Sequence, residues 1–307
     1  MEFLRFLSSY RTDFWNTVFS VVTLFGEATI LVAPLVVLFL CVDKKAAYRA
    51  AFAYYFSALL LNNIKLLLKI PRPWIIDQSF EPVEGAKTTA TGYSFPSGHS
   101  QSASSIYGSL ALFIKKSWAK AALAVLTAAV AFSRLFIGVH TLADVVVGLL
   151  IGSASAILFS MIRIDEKGRP VLSVILGILV AFSAANGFIA WHAGGEVAAN
   201  THDIMTVSGS GLALALGYFL ENRYIRFDEK RGSWIYHAVK LFVGLGGTAA
   251  IRGALKAVLG TSAPMNFIRY FAAISWIMII FPWLIKLNQN YADMKTAKAE
   301  GITAEEQ

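Results

Sequence analysis

The chain has 307 residues, of which only 15% are charged and 56% apolar, with a positive mean hydropathy and a formal net charge of +8. Ordinary soluble domains carry about 25% charged residues, so a soluble globular chain is excluded; uncharged apolar runs of roughly 15 to 23 residues, long enough to cross about 30 Å of hydrocarbon as helices, recur instead. Because runs such as Val171 to Ala190 do not alternate in polarity, a membrane barrel is excluded as well, and the excess base is accounted for by cytoplasmic loops, with no nucleic-acid partner expected.

The predicted fold is all-α, a polytopic membrane bundle of about nine transmembrane helices. Ahead of the first helix, Glu2 to Phe25 mixes Phe3, Phe6, Leu7, Phe14, Phe19 and Phe25 with Arg5, Arg11 and Asp13, a pattern that suits a helix lying in the interface. No cleavable signal peptide is expected there, since no small-residue cleavage site follows a clean apolar core. The predicted spans are Glu27 to Val42, Ala46 to Leu68, Ser100 to Ile114, Ala119 to Phe136, Leu142 to Ile164, Val171 to Ala190, Met205 to Leu220, Trp234 to Ile251 and Phe267 to Leu287. The single cysteine, Cys41, lies inside the first and can neither close an intramolecular disulfide nor build a cysteine-rich metal site. Beyond Tyr291 the chain turns polar, as a frayed tail would. The organisation expected is an amphipathic segment over 1–26, a core over 27–169, added helices over 170–287 and a tail over 288–307.

Orientation follows from the distribution of base. One set of loops holds Lys44, Lys45, Arg49, Lys115, Lys116, Lys120, Arg163, Lys167, Arg169, Arg223, Arg226, Lys230, Arg231, Lys286, Lys295 and Lys298, against ten basic residues on the other side. The first set is therefore expected in the cytoplasm, and the long loop from Lys69 to Ser97 faces the periplasm, the exterior or a lumen. This alternation requires an odd number of spans.

Three polar clusters sit at the non-cytoplasmic ends. Lys65 and Arg72 are seven residues apart, two turns if helical, so both cations can project toward one anion, with Pro71 and Pro73 ending the helix. Pro96-Ser97-Gly98-His99 opens a span; a proline and a serine with a glycine present free backbone N–H groups to an anion, and His99 can donate a proton near neutral pH. Ser133-Arg134 is followed by His140 and, four residues on, Asp144, a spacing that on a helix puts both on one face and lets a carboxylate hold one ring nitrogen as N–H and leave the other as a lone pair. Taken singly, each cluster has a plainer reading: snorkelling bases, an ordinary capped helix start, and a structural His–Asp pair. An acid in front of an apolar run nevertheless costs a few kcal/mol unless it has a partner.

Together, Lys-six-Arg-Pro, Pro-Ser-Gly-His and Ser-Arg-five-His-three-Asp resemble the tripartite signature of the type-2 phosphatidic acid phosphatase superfamily, which includes membrane lipid phosphatases, glucose-6-phosphatases and vanadium haloperoxidases. The resemblance implies that Lys65, Arg72 and Arg134 neutralise phosphoryl oxygens, that Ser97 and the Gly98 N–H complete the cradle, and that His140, oriented by Asp144, attacks phosphorus to form a phosphohistidine while His99 protonates the leaving group. No metal or other cofactor is implied. The expected substrate is a membrane lipid phosphate monoester or polyprenyl diphosphate, with phosphatidate, phosphatidylglycerophosphate and undecaprenyl diphosphate as examples. The expected location is a bacterial inner membrane, with the site facing the periplasm or exterior; protein partners are not indicated.

A glucose-6-phosphatase-like enzyme and a lipid phosphate transporter without turnover are the competing readings; intact His99, His140 and Asp144 argue against the second. The added helices resemble the nine-span layout of glucose-6-phosphatases. Between two of them, Trp191-His192, Glu196 and His202-Asp203 are expected to form an irregular polar loop, and Trp74 and Tyr93 are expected to anchor the interface.

Overall fold

In the computed structural model, which describes residues 1–162 and 170–299 (without the side chains of positions 89 and 298), every described element is helical. Of the basic residues counted above, Arg163, Lys167 and Arg169 lie outside the described residues, as do Ile164 and the last eight residues of the tail. The helices run α1 Glu2–Ser8, α2 Asp13–Leu24, α3 Ala28–Val37 continued by a π turn to Val42, α4 Lys44–Leu68, α5 Pro73–Ile76, α6 Ala86–Thr89, α7 Gly98–Phe113, α8 Ser117–Phe136 and α9 Leu142–Met161. They continue as α10 Pro170–His192, α11 Gly195–Ala199, α12 His202–Leu220 with a π turn to Ile225, α13 Trp234–Leu259, α14 Ala263–Ser275 and, after a further π turn, α15 Phe281–Ala299.

All nine predicted spans are helices. Among the described residues seven are long and apolar enough to cross a membrane, and Asp13–Leu24 with Ala28–Val42, bent by 45°, make an eighth if taken as one broken span. Helix α7, at 16 residues, falls short of those seven.

Helix α4 is the hub, with α7 and α9 packed on one side and α10 and α12 on the other. Its Tyr48, Phe52, Tyr55 and Leu59 are buried in the main core with Phe159 of α9 and Tyr218 of α12. Between apolar helices in lipid the hydrophobic effect has little purchase, and close backbone approach and polar contacts do the joining. Helices α7 and α9 meet at glycines: a Cβ on Gly152 would collide with Ser104 Oγ and the Gln101 carbonyl, and one on Gly148 would stand 2.5 Å from the Ser97 carbonyl. Gln101 of α7 donates to Ser57 Oγ of α4 at 2.6 Å, and Asn63 of α4 donates to Ser183 Oγ of α10 at 2.7 Å.

The two ends differ. At one, Lys44 at the start of α4 donates to Glu221 at 2.7 Å, to the Phe227 carbonyl, and lies over the Phe227 ring, beside Lys45, Arg226 and Lys230. At the other lie the C-terminus of α4, the N-terminus of α7, the turn from α8 to α9 and the N-terminus of α12. Lys44, Lys45, Arg226 and Lys230, all expected in the cytoplasm, thus gather at the first end, and the motif residues gather at the second.

The loop between α4 and α7 folds across this second end. Ser94 N–H donates to the Ile70 carbonyl and Val83 N–H to the Ile137 carbonyl, while Arg11 reaches over to the carbonyls of Phe136 and Glu81. Trp74 and Tyr93, expected as interfacial anchors, are held within it: Trp74 packs on a buried cluster with Val83, Ile137 and Val139, and Tyr93 is itself buried. The loop has its own small core, which captures aromatics that composition alone assigns to lipid.

Candidate functional site

A cavity of about 390 Å³ opens at this end, lined among others by Lys65, Arg72, Gly98, His99, Arg134 and His140. Six of the eight residues singled out in the sequence thus face one space. Ser97 and Asp144 are buried behind its wall, and each is tied to the residues that line it.

Lys65 sits one turn from the end of α4 and is buried. The spacing to Arg72 had suggested two turns of one helix. Instead α4 stops at Leu68, with Lys69 in the left-handed region at φ 51°, and Arg72 lies beyond the break as N-cap of the short α5. Pro71 and Pro73 explain the stop, since neither can donate to a helical carbonyl. Arg72 is then fixed by carbonyls: Nε donates to Gly92 at 2.9 Å, Nη2 to Thr91 at 2.6 Å and Nη1 to Val139 at 3.0 Å. Of its five N–H groups only one remains after Nη1 also donates to His140 Nε2 at 3.0 Å. The result is a rigid cation 4% exposed and pressed against the imidazole.

Arg134, on the last turn of α8, is 1% exposed. Its Nη1 donates to Thr23 Oγ1 of α2 at 2.6 Å, and its Nε has no hydrogen-bond partner among the described residues. The same holds for His99 Nε2, on the first turn of α7. A buried polar nitrogen without a partner is costly, and here two of them lie on residues that line one cavity. Ser97 is the N-cap of α7, yet its side chain makes no capping bond and only accepts from Ser100 Oγ at 3.0 Å. The first-turn N–H groups are therefore not taken up by the cap and remain free to meet an anion.

His140 and Asp144 do not share a helical face as their spacing suggested. Gly138, at φ +81°, turns the chain after α8, and His140 stands in that turn just before Thr141, the N-cap of α9. Asp144 is the third residue of the helix, and it closes a capping box: its carboxylate accepts from Thr141 N–H at 2.8 Å while Thr141 Oγ1 accepts from Asp144 N–H at 3.3 Å. The same Oδ2 accepts from Ser94 Oγ at 2.5 Å and from His140 Nδ1 at 3.3 Å. One carboxylate oxygen thereby caps a helix, ties down the long loop and fixes the imidazole with Nε2 against Arg72 at the cavity wall. Ser97 N–H donates to the Asp144 carbonyl at 2.9 Å, coupling the start of α7 to that of α9. Burial, and after it the charges of Arg72, Arg134 and Lys65, hold the His140 imidazole well below the usual histidine range, so it is neutral at pH 7.

The cavity also takes residues that the motifs did not include: Tyr54, Asn62 and Gln101 from the core helices, Gly26 and Glu27 from the N-terminal segment, and Asp203 and Thr206 from α12. His202-Asp203 was expected in an irregular loop, but α12 begins there. The available signal was an acid at the head of an apolar run, the same feature that marked Asp144.

Comparison with known proteins follows the same lines. Residues 46–167 match the PAP2 superfamily, and residues 205–290 match the transmembrane extension of PAP2 superfamily phosphatases. The chain is similar to the dolichyldiphosphatase of Saccharomyces cerevisiae, at 29% identity over 52% of this chain and 64% of that protein, so it spans just under two thirds of that relative's length. It is also similar to phosphatidylglycerophosphatase B of Bacillus subtilis, at 28% identity over 51% of this chain and 78% of that protein. Among solved structures it is similar to the transmembrane PAP2-type phosphatidylglycerolphosphate phosphatase from Bacillus subtilis, with 22% identity, a TM-score of 0.45, and coverage of 53% of this chain and 86% of that one.

Proposed function

The chain belongs to the PAP2 superfamily, and from that premise we propose that it is an integral membrane phosphatase acting on lipid phosphate monoesters or polyprenyl diphosphates through a phosphohistidine, on the face of the membrane away from the cytoplasm. The observation that carries the reading is the convergence in one cavity of a neutral, oriented imidazole, three buried cations and a second histidine.

In the proposed reaction a phosphoryl group lies between Lys65, Arg72, Arg134 and the N–H groups at the start of α7, which spread its charge as the bond order changes. His140 Nε2 gives its lone pair to phosphorus; the bond from phosphorus to the leaving oxygen breaks, its electron pair stays on that oxygen, and His99 supplies the proton. Asp144 holds Nδ1–H and balances the positive charge that the ring acquires. A water molecule then attacks the phosphohistidine, His99 takes its proton, the P–N bond breaks with its pair returning to Nε2, and inorganic phosphate leaves. Charge stabilisation is supplied by protein cations, so turnover is expected to survive EDTA and to be blocked by vanadate.

A site at the ends of spans lies at about headgroup depth, where a lipid can present its phosphate without leaving the bilayer. A panel of phosphatidate, phosphatidylglycerophosphate, a polyprenyl diphosphate and glucose-6-phosphate, assayed on purified protein in mixed micelles, tests the reading. The long-chain substrates are expected to exceed glucose-6-phosphate in kcat/KM by at least about a hundredfold, which a few buried methylenes at about 0.8 kcal/mol each would supply. Comparable values would refute the lipid assignment, and turnover by His140→Ala would refute the mechanism.

A further inference from the structure

Two carboxylates line a cavity that is otherwise built for an anion. Asp203, the second residue of α12, stands with Lys65 and Arg72, and its negative charge acts on both of them. Its Oδ2 is 4.0 Å from where a Cβ on Gly92 would be, beside the segment whose carbonyls hold Arg72. No hydrogen bond or ion pair to another described residue engages the carboxylate. Glu27, the N-cap residue of α3, lines the same cavity and acts on Arg134.

The backbone around Asp203 is fixed by packing. Thr201 before it is fully buried, and Ile204 and Met205 after it form a buried cluster with Ala263 at the start of α14. His202 meets Asn266 of α14 at 3.1 Å. The acid is therefore held in the cavity by the added helices, and a chain without them would lack it.

Its effect depends on what the phosphoryl group is attached to. In a monoester the leaving oxygen departs as a neutral alcohol once protonated, and its hydroxyl, or hydroxyls beside it, can donate to a carboxylate. In a diphosphate the leaving group is itself a phosphate, bearing at least one further negative charge, and it must sit in the same cavity near Asp203 and Glu27. Like charges in one cavity repel, and water reaching the exposed Asp203 weakens that repulsion without removing it.

We propose that Asp203, with Glu27 on a second wall, is a specificity-determining carboxylate that selects lipid phosphate monoesters over diphosphates, so that the C-terminal extension sets substrate class for the histidine site. The proposal rests on the phosphatase reading above.

The test uses the full-length protein in detergent with farnesyl phosphate and farnesyl diphosphate, which share a tail and differ in headgroup charge, and reads kcat/KM from phosphate release. The wild type is expected to favour the monophosphate by at least about tenfold, the equivalent of about 1.4 kcal/mol. Asp203→Asn is expected to narrow that ratio by about tenfold, mainly through a lower KM for the diphosphate, and Asp203→Glu to keep the wild-type ratio. A role limited to offsetting Lys65 and Arg72 would alter both substrates together and leave the ratio fixed. A wild-type preference for the diphosphate, or an unchanged ratio in Asp203→Asn, overturns the proposal; turnover of neither substrate sinks the phosphatase reading and this one with it. If Asp203→Asn does not fold, Glu27→Gln reads the other wall's charge, and an unchanged ratio there overturns the proposal equally.

Discussion

Replacing Asp144 by asparagine separates folding from chemistry at the most connected atom of the site. In the wild type its Oδ2 accepts from Ser94 Oγ at 2.5 Å, Thr141 N–H at 2.8 Å and His140 Nδ1 at 3.3 Å. An asparagine can present its amide oxygen to the same donors, so the cost to stability is the difference between charge-assisted and neutral bonds, about 1 kcal/mol each and about 3 kcal/mol at most. The chemical cost is larger. When Nε2 attacks phosphorus with Nδ1 still protonated, the ring becomes cationic beside Arg72, and Asp144 is the carboxylate in contact with it. At 3.3 Å and an effective dielectric of about 20 that attraction is about 5 kcal/mol, of which a large part is developed in the transition state. The expected outcome is a fall in kcat of about a thousandfold, with KM changed by less than about threefold. Single-turnover kinetics with acid quench should show slower accumulation of phosphoenzyme in a protein whose elution from size exclusion matches wild type. Ser94→Ala, which removes a donor but leaves the charge, should cost less than about tenfold. A fall of less than tenfold for Asp144→Asn would refute the assignment of Asp144 as the counter-charge of His140.

The remaining predictions concern other parts of the site. His99→Ala should damage hydrolysis of an alkyl phosphate far more than that of an activated aryl phosphate, since only the first needs a proton on the leaving oxygen; equal losses would remove His99 from that role. Burial, and then Arg72, Arg134 and Lys65, depress the His140 proton affinity, so the neutral form persists as pH falls and the acid limb of kcat/KM should lie below that of an ordinary histidine. Arg134→Gln should move the limb to higher pH with the same substrate, and a limb that stays fixed would show that the arginine charge does not act on His140. Gly152→Ala should force α7 from α9 against Ser104 and the Gln101 carbonyl, costing about 1–3 kcal/mol and reducing kcat because His99 and His140 ride on opposite partners; Gly177→Ala, which meets nothing within 4 Å, should lower neither, and equal effects would refute the packing argument. In a Cys41→Ser background, a cysteine at Glu84 should react with an impermeant maleimide from outside intact cells and one at Arg223 should not; the reverse pattern would invert the orientation.

The sequence alone determined the membrane class, the helices and the residue types of the site. Crossing hydrocarbon demands long uncharged runs, and each costly polar residue among them needs a reason to be there, so Lys65, Arg134 and Asp144 announced themselves against an apolar background. Periodicity, however, describes one element at a time. It placed Lys65 with Arg72, and His140 with Asp144, on common helical faces, whereas both pairs straddle helix ends: a left-handed Lys69 turns the chain before Arg72, and a capping box ties His140 to Asp144 from outside α9. Trp74 and Tyr93 looked lipid-facing because nothing in their composition reports a loop with a core of its own. Asp203 was read as part of an irregular polar loop and Glu27 only as the start of a span. Both lie far along the chain from the motifs, and their meaning comes from which cavity their helix ends border. Local pattern sets what each helix is, because backbone hydrogen bonds and lipid act on each segment separately. Which charges share a cavity is set by contacts among α4, α7, α9 and α12, and those depend on glycine crossings and interhelical hydrogen bonds that exist only once the bundle has packed.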